Sequence, residues 1–207
     1  MLRVVDVAVD DIKRAYVLNG VYIPRVSAVV GEIYPWVPMP WIPAGAGERA
    51  MQAGTEMHAS IEGYLRGMYG IDEVRGDGGH FKTYMEQHPD WALVACETKI
   101  VSETTMVAGM FDALFHDTTK DEYVLVDWKR SRKLYDSSAG RYTLQTMLYK
   151  HILAVAYGIN VSQSYIVLLH PDLPMPHEYA VDDSQDDGAL SDALAVAARL
   201  GRVLNPV

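Results

Sequence analysis

The spacing of apolar positions changes period along the chain. Met51, His58, Ile61 and Leu65 fall on one stripe at helical spacing, which predicts an amphipathic helix over about 47–68. A short helix is predicted over 80–87, between the glycines Gly76, Gly78 and Gly79 and the stop at Pro89. From Trp91 the pattern becomes that of strands. Segments 93–101, 107–116 and 123–130 are rich in Val, Ile, Leu and aromatic residues. Their connections, Ser102-Glu103-Thr104-Thr105 and Asp117-Thr118-Thr119-Lys120-Asp121, are short and polar, as antiparallel hairpins require. A second long helix is expected over 141–157, with Leu144, Leu148, Ile152 and Val155 as its buried stripe and Gly158 as its stop. A buried strand over 164–169, a short strand over 179–181 and a last helix over 187–203 complete the pattern. The first 43 residues read as irregular, because Pro24, Pro35, Pro38, Pro40 and Pro43 interrupt them and proline is excluded from helix interiors.

The order α-β-β-β-α-β predicts an α/β fold, a mixed β-sheet flanked by helices with one crossover helix. A chain of 207 residues, 49% of them hydrophobic, supports one well-buried core and not two ordinary domains. Charge narrows the function. With 18 basic and 27 acidic residues the net charge is -9, which excludes a protein that coats nucleic acid through its whole surface field. A local basic patch on an acidic body remains open. The single cysteine, Cys96, excludes an internal disulfide, a CxxC zinc site and a cysteine-ligated iron–sulfur cluster. No apolar run approaches the roughly 20 residues of a membrane span, and residues 4–9 are too short and too broken by Asp6 to form an export signal. No membrane association and a cytoplasmic location are therefore expected.

Strand alternation places Asp127 and Lys129 on one face of the third strand, with Tyr123 and Leu125. On the preceding strand Asp112 shares a face with Met110 and Leu114. A carboxylate on an apolar face costs several kcal/mol unless it is paired or coordinated. A divalent cation held by both aspartates is the economical solution, with the lysine placed to orient water or offset phosphoryl charge. For an isolated D-x-K, a plain Asp–Lys ion pair is the commoner explanation. Asp112 at the matching place on the next strand weakens it. His58 lies on the apolar stripe of the first helix, one turn after Gly54, and is either a hydrogen-bonded core residue or a metal ligand. Glu97 is either a further acid of the site or a partner of Lys99. Gln145 and Tyr149, one helical turn apart, either bridge from helix to site or occupy an ordinary boundary.

Taken in order, Gly54-x-x-x-His58, Glu97, Gly109-Met110-Phe111-Asp112, Asp127-Trp128-Lys129 and Gln145-x-x-x-Tyr149 resemble the RecB-type exonuclease branch of the PD-(D/E)XK nuclease superfamily. The likeness is strongest to the mitochondrial genome maintenance and phage nucleases. It covers roughly residues 22–170 and includes Tyr22-Ile23-Pro24-Arg25-Val26-Ser27. The resemblance implies a restriction-endonuclease-like core and Mg²⁺- or Mn²⁺-dependent hydrolysis of DNA from its ends, single-stranded or frayed. An endonuclease of the same fold and a non-catalytic DNA-end-binding module remain alternatives. It assigns Asp112, Asp127 and His58 to the metal, Lys129 to catalysis, and Gln145 and Tyr149 to support of the site and contact with DNA. Glu97 matches a recurrent acid of less uniform role. The cysteine quartet of the iron–sulfur members is missing, so no such cluster is expected.

Lys129-Arg130-Ser131-Arg132-Lys133 concentrates positive charge at the end of the catalytic strand. Beside a nuclease site, Arg130, Arg132 and Lys133 read as phosphate contacts. The aromatic residues Tyr34, Trp36 and Trp41, in the proline-rich segment 22–43, suit base stacking and core covering equally well.

Overall fold

The computed structural model describes residues 7–35, 45–74, 78–183 and 188–206. Its centre is a five-stranded sheet in the order β4 (Trp91–Ser102), β5 (Val107–Asp117), β6 (Glu122–Lys129), β7 (Val161–Leu168) and β8 (His177–Ala180). Only β6 and β7 run parallel, and α4 (Asp136–Tyr157) makes the crossover between them. The other neighbours are antiparallel. This is the expected mixed α/β core.

Helices cover both faces. On one side α1 (Val26–Ile33), α4 and α5 (Ala189–Leu204) press Val29, Leu148, Ile152 and Ala197 onto Ile100, Leu114 and Leu125 of the sheet. On the other, α2 (Ala46–Leu65) and α3 (Gly78–Gln87) bring Met57, Ile61, Phe81 and Tyr84 onto Ala113, Phe115, Val126 and Trp128. Each fully buried Leu, Ile or Phe here contributes on the order of 1.5–3 kcal/mol by leaving water. The Trp128 indole sits edge-on to both Phe81 and Tyr84, with centroids 5.5 Å apart in each case. That packing fixes α3 against the strand that carries Asp127 and Lys129.

Two helical stripes differ from expectation at one position each. Met51 is 71% exposed, because the first turns of α2 overhang a cleft instead of the sheet. Val155 is 51% exposed, and Leu153 takes its place beside Ile152 in the core.

The N-terminal expectation is corrected. Residues 8–33 are ordered into a small antiparallel sheet, β1 (Ala8–Asp10), β2 (Ala15–Leu18) and β3 (Val21–Pro24), followed by α1. Asn19 and Gly20, at φ 51 and 82, form the tight turn between β2 and β3. Two successive left-handed residues match the twist of a two-residue hairpin, and Asn-Gly is its preferred sequence. Pro24 is tolerated because it closes the edge strand. Arg25 bridges in parallel to Ala108, joining the small sheet to β5. Of the aromatic trio, Tyr34 packs against Gly140, and its carbonyl accepts from Arg141. Trp36 and Trp41 lie outside the described residues. No helix of the described residues is long and apolar enough to cross a membrane.

Candidate active site

The site is built where the sheet comes apart. β5 and β6 pair from Asp117↔Glu122 as far as Ala113↔Val126 and then separate. Beyond that point the Trp128 N–H donates to the Asp112 side chain, Oδ2 at 2.8 Å. The β4–β5 ladder skips Glu97 and Asp112, resuming at Thr98↔Phe111. Glu97 has φ 43, a left-handed conformation that costs a non-glycine residue about 1–3 kcal/mol. The break also upsets strict alternation: Phe111 and Leu114, three apart, both join the α4-side core.

Helices from both layers reach into this opening. From α2, His58 lies between the parted strands. Its Nε2 is 3.1 Å from the Trp128 carbonyl, while Nδ1 is 3.2 Å from Glu97 Oε1 and 3.7 Å from Asp112 Oδ2. A carbonyl only accepts, so Nε2 must carry a proton and Nδ1 is the nitrogen turned toward two carboxylates. A bare lone pair facing two carboxylates is repulsive, so this position demands a proton or a metal cation. Burial opposes the imidazolium, but the hydrogen bond it donates to Glu97 and the charges of Asp112 and Glu97 outweigh that and raise the His58 pKa. His58, Glu97 and Asp112 offer donor atoms all within 4.8 Å of one another. One imidazole nitrogen and two carboxylate oxygens form a donor set of the kind that holds a divalent metal ion. Glu97 does not partner Lys99, whose Nζ donates to the Val7 carbonyl at 3.3 Å.

Asp127 and Lys129 stand together beside this set. Lys129 Nζ is 2.5 Å from Asp127 Oδ2, and Gln145 of α4 donates to Asp127 Oδ1 at 3.0 Å. Burial raises the Asp127 pKa to about 6, against the lowering effect of Lys129, and Asp112 adds to the rise. Burial likewise raises the Asp112 pKa, although His58 and Lys129 pull it down. For Lys129 burial disfavours the charge, but Asp127 and Asp112 more than compensate and hold the ammonium protonated. Its Nζ also lies 5.0 Å from the Tyr142 ring centroid. Gln145 Nε2 is 3.3 Å from the Tyr149 hydroxyl, so a polar chain runs from α4 to the aspartate.

The cleft over these groups has a volume of roughly 680 Å³, and His58, Glu97, Asp112, Lys129, Arg130 and Tyr142 line it. Gly54 lines it too, and a Cβ there would meet nothing within 4 Å. The expected residues therefore fall into three groups. His58, Glu97 and Asp112 converge, and Asp127, Lys129, Gln145 and Tyr149 form the adjoining network. Arg130 reaches the cleft wall. Arg132 instead pairs with Asp172 at 2.5 Å, and Lys133 lies over the Tyr135 ring at 4.6 Å. Sequence reasoning did not anticipate the main chain of Trp128, which holds both His58 and Asp112, nor Tyr142. An aromatic one turn before Gln145 was the only signal for the latter.

A mixed sheet that opens between an aspartate strand and a D-x-K strand, beneath a histidine-bearing helix, defines the restriction-endonuclease-like class of nuclease. Residues 48–204 match the PD-(D/E)XK nuclease superfamily, and the chain belongs to it. Among solved structures, the alkaline exonuclease LHK-Exo from Laribacter hongkongensis is similar at 14% identity and a TM-score of 0.47, over 87% of this chain and 88% of that one. LHK-Exo in complex with dAMP gives 14% identity and a TM-score of 0.48, over 88% and 89%. No curated protein matches the chain.

Proposed function

We propose that the protein is a metal-dependent deoxyribonuclease that hydrolyses phosphodiester bonds from DNA ends, single-stranded or frayed ends above all. The observation that carries this reading is the convergence of His58 Nδ1, Glu97 and Asp112 on one cleft, with the Lys129 ammonium beside them. Mg²⁺ or Mn²⁺ would be held by His58, Asp112 and Glu97. Ligation by Asp127 would require Lys129 to release Oδ2. Bound there, the cation would supply Lewis acidity toward a phosphoryl oxygen.

The chain's own residues do the rest. The Lys129 ammonium, held beside Asp127, orients the attacking water through its N–H groups and offsets charge that develops on the phosphate. Asp127 keeps that ammonium in place, and Gln145 keeps Asp127 in place. Arg130, on the cleft wall, is positioned to hold a flanking phosphate. End dependence rests on the resemblance of Gly54-x-x-x-His58 and Gln145-x-x-x-Tyr149 to the RecB-type exonucleases.

The test uses end-labelled linear and circular DNA, single- and double-stranded, with Mg²⁺ or Mn²⁺. Linear DNA degraded while circles survive is the expected result. Cut circles would make the protein an endonuclease. Retained binding to ends without hydrolysis in either metal would make it a non-catalytic end-binding module.

A further inference from the structure

The strained residue of the site is Glu97, and its conformation is set by the peptide that precedes it. The torsion φ of Glu97 turns about its N–Cα bond, so the plane of the Cys96–Glu97 peptide fixes it. Two side chains grip that plane by its oxygen. Arg66 Nη2 donates to the Cys96 carbonyl at 3.1 Å, and Thr98 Oγ1 donates to it at 2.9 Å. Arg66 is itself anchored, since its Nε donates to Glu62 Oε1 at 2.7 Å. It caps the C-terminal end of α2, the helix that carries His58. Thr98 is buried, on the far side of the residue the ladder skips.

We infer that Arg66 and Thr98 are positioning residues: they clamp the Cys96 carbonyl so that Glu97 stays left-handed, with its carboxylate aimed at His58 and Asp112. One helix then supplies both the histidine and the clamp that brings the glutamate to it. This inference rests on the proposed reading of His58, Glu97 and Asp112 as the metal-holding set. Partners that orient metal-binding side chains affect affinity without touching the ion.

The clamp makes a signed claim. Arg66 is a cation near a cation site, so by charge alone its removal would tighten metal binding. Loss of positioning would weaken it. The experiment measures Mn²⁺ affinity by the electron paramagnetic resonance of free Mn²⁺, for the unaltered chain, Arg66→Met and Thr98→Val. Circular dichroism confirms that each folds. Arg66→Met keeps most of the stem and removes the charged fork, and Thr98→Val removes only the hydroxyl.

Weaker binding in both variants is expected, about ten-fold for Arg66→Met and less for Thr98→Val. Unchanged or tighter binding by folded Arg66→Met overturns the clamp, and so does unchanged binding by Thr98→Val. Absence of Mn²⁺ binding by the unaltered chain would instead overturn the metal-site reading. The two failures are thus distinguishable.

Discussion

Lys129 and Asp112 lie within one site yet should fail differently when replaced. Lys129→Ala removes the protonated group next to Asp127 and leaves the donors His58, Glu97 and Asp112 untouched. Its turnover should fall about 10²–10³-fold, the usual effect of losing one charge-stabilising donor, while Mn²⁺ affinity holds or rises, because the change removes a neighbouring cation and frees Asp127 Oδ2. Near-normal turnover at saturating metal would remove Lys129 from the mechanism. Asp112→Asn should weaken both metal binding and turnover, because Oδ2 is a donor of the site as well as the acceptor for Trp128 N. Gly109 offers a steric prediction. A Cβ there would lie 2.5 Å from Tyr149 Cε1 and 3.0 Å from Val26 Cγ2. Gly109→Ala should cost about 1–3 kcal/mol in urea unfolding and lower turnover, because a displaced Tyr149 disturbs Gln145 and through it Asp127. A variant as stable as the parent would show that the ring moves aside freely. At this scale Asp112, Asp127 and Lys129 were legible, because two-residue periodicity needs only the chain. The turn of Glu97 toward His58 was not, because it depends on a carbonyl held by Arg66 from another element.

Elements fare better where local pattern and burial agree. The expected strands over 93–101, 107–116 and 123–130 correspond to β4, β5 and β6, and the crossover helix ends at Tyr157, before Gly158. The N-terminal hairpin is less legible, because the prolines of this segment argue for irregular chain and the opposing signal is a single dipeptide, Asn19-Gly20. The parting of β5 from β6 left no sequence signal that alternation could read, since both strands keep apolar residues up to the break. The connection between them carries a pH prediction. Asp117 Oδ1 accepts from Thr119 Oγ1 at 2.7 Å, from Thr119 N at 3.0 Å and from Lys120 N at 3.1 Å. These bonds, the Thr119 hydroxyl first, lower its pKa to about 2. A carboxylate whose folded pKa is depressed stabilises the fold above its unfolded value, about 4, and loses that contribution as pH falls toward 2. The stability difference between the parent and Asp117→Asn should therefore be constant from pH 7 to about 5 and shrink between about 4 and 2. A difference that does not change with pH across that window would mean Asp117 acts through shape alone.

For the molecule as a whole, the question is how a body of net charge -9 holds a polyanion. The long-range field repels DNA, so the attraction must come from cations near the cleft and within about a Debye length of the bound strand. Arg130 lines the cleft, and Arg132 and Lys133 follow it on the segment between β6 and α4. The Arg132–Asp172 pair is more than half exposed on both sides, and such pairs contribute about 0–1 kcal/mol, so a phosphate can replace Asp172 at little cost. Lys133 over Tyr135 is also at the surface and free to turn toward a strand. Each single-strand phosphate neutralised adds about -0.7 to the slope of log affinity against log salt, so three or four contacts give roughly -2 to -3. Replacing Arg130 and Arg132 together should flatten that slope by about 1.4 and weaken all sequences alike, because phosphate contacts carry no base information. Binding measured by fluorescence anisotropy from low to moderate salt, with divalent metal withheld so that the strand is not cut, gives the slope directly. A steep slope that survives the double replacement would move the DNA path to the Arg25 and Arg49 side of the molecule. A slope near zero in the parent would mean that stacking, not charge, supplies the affinity.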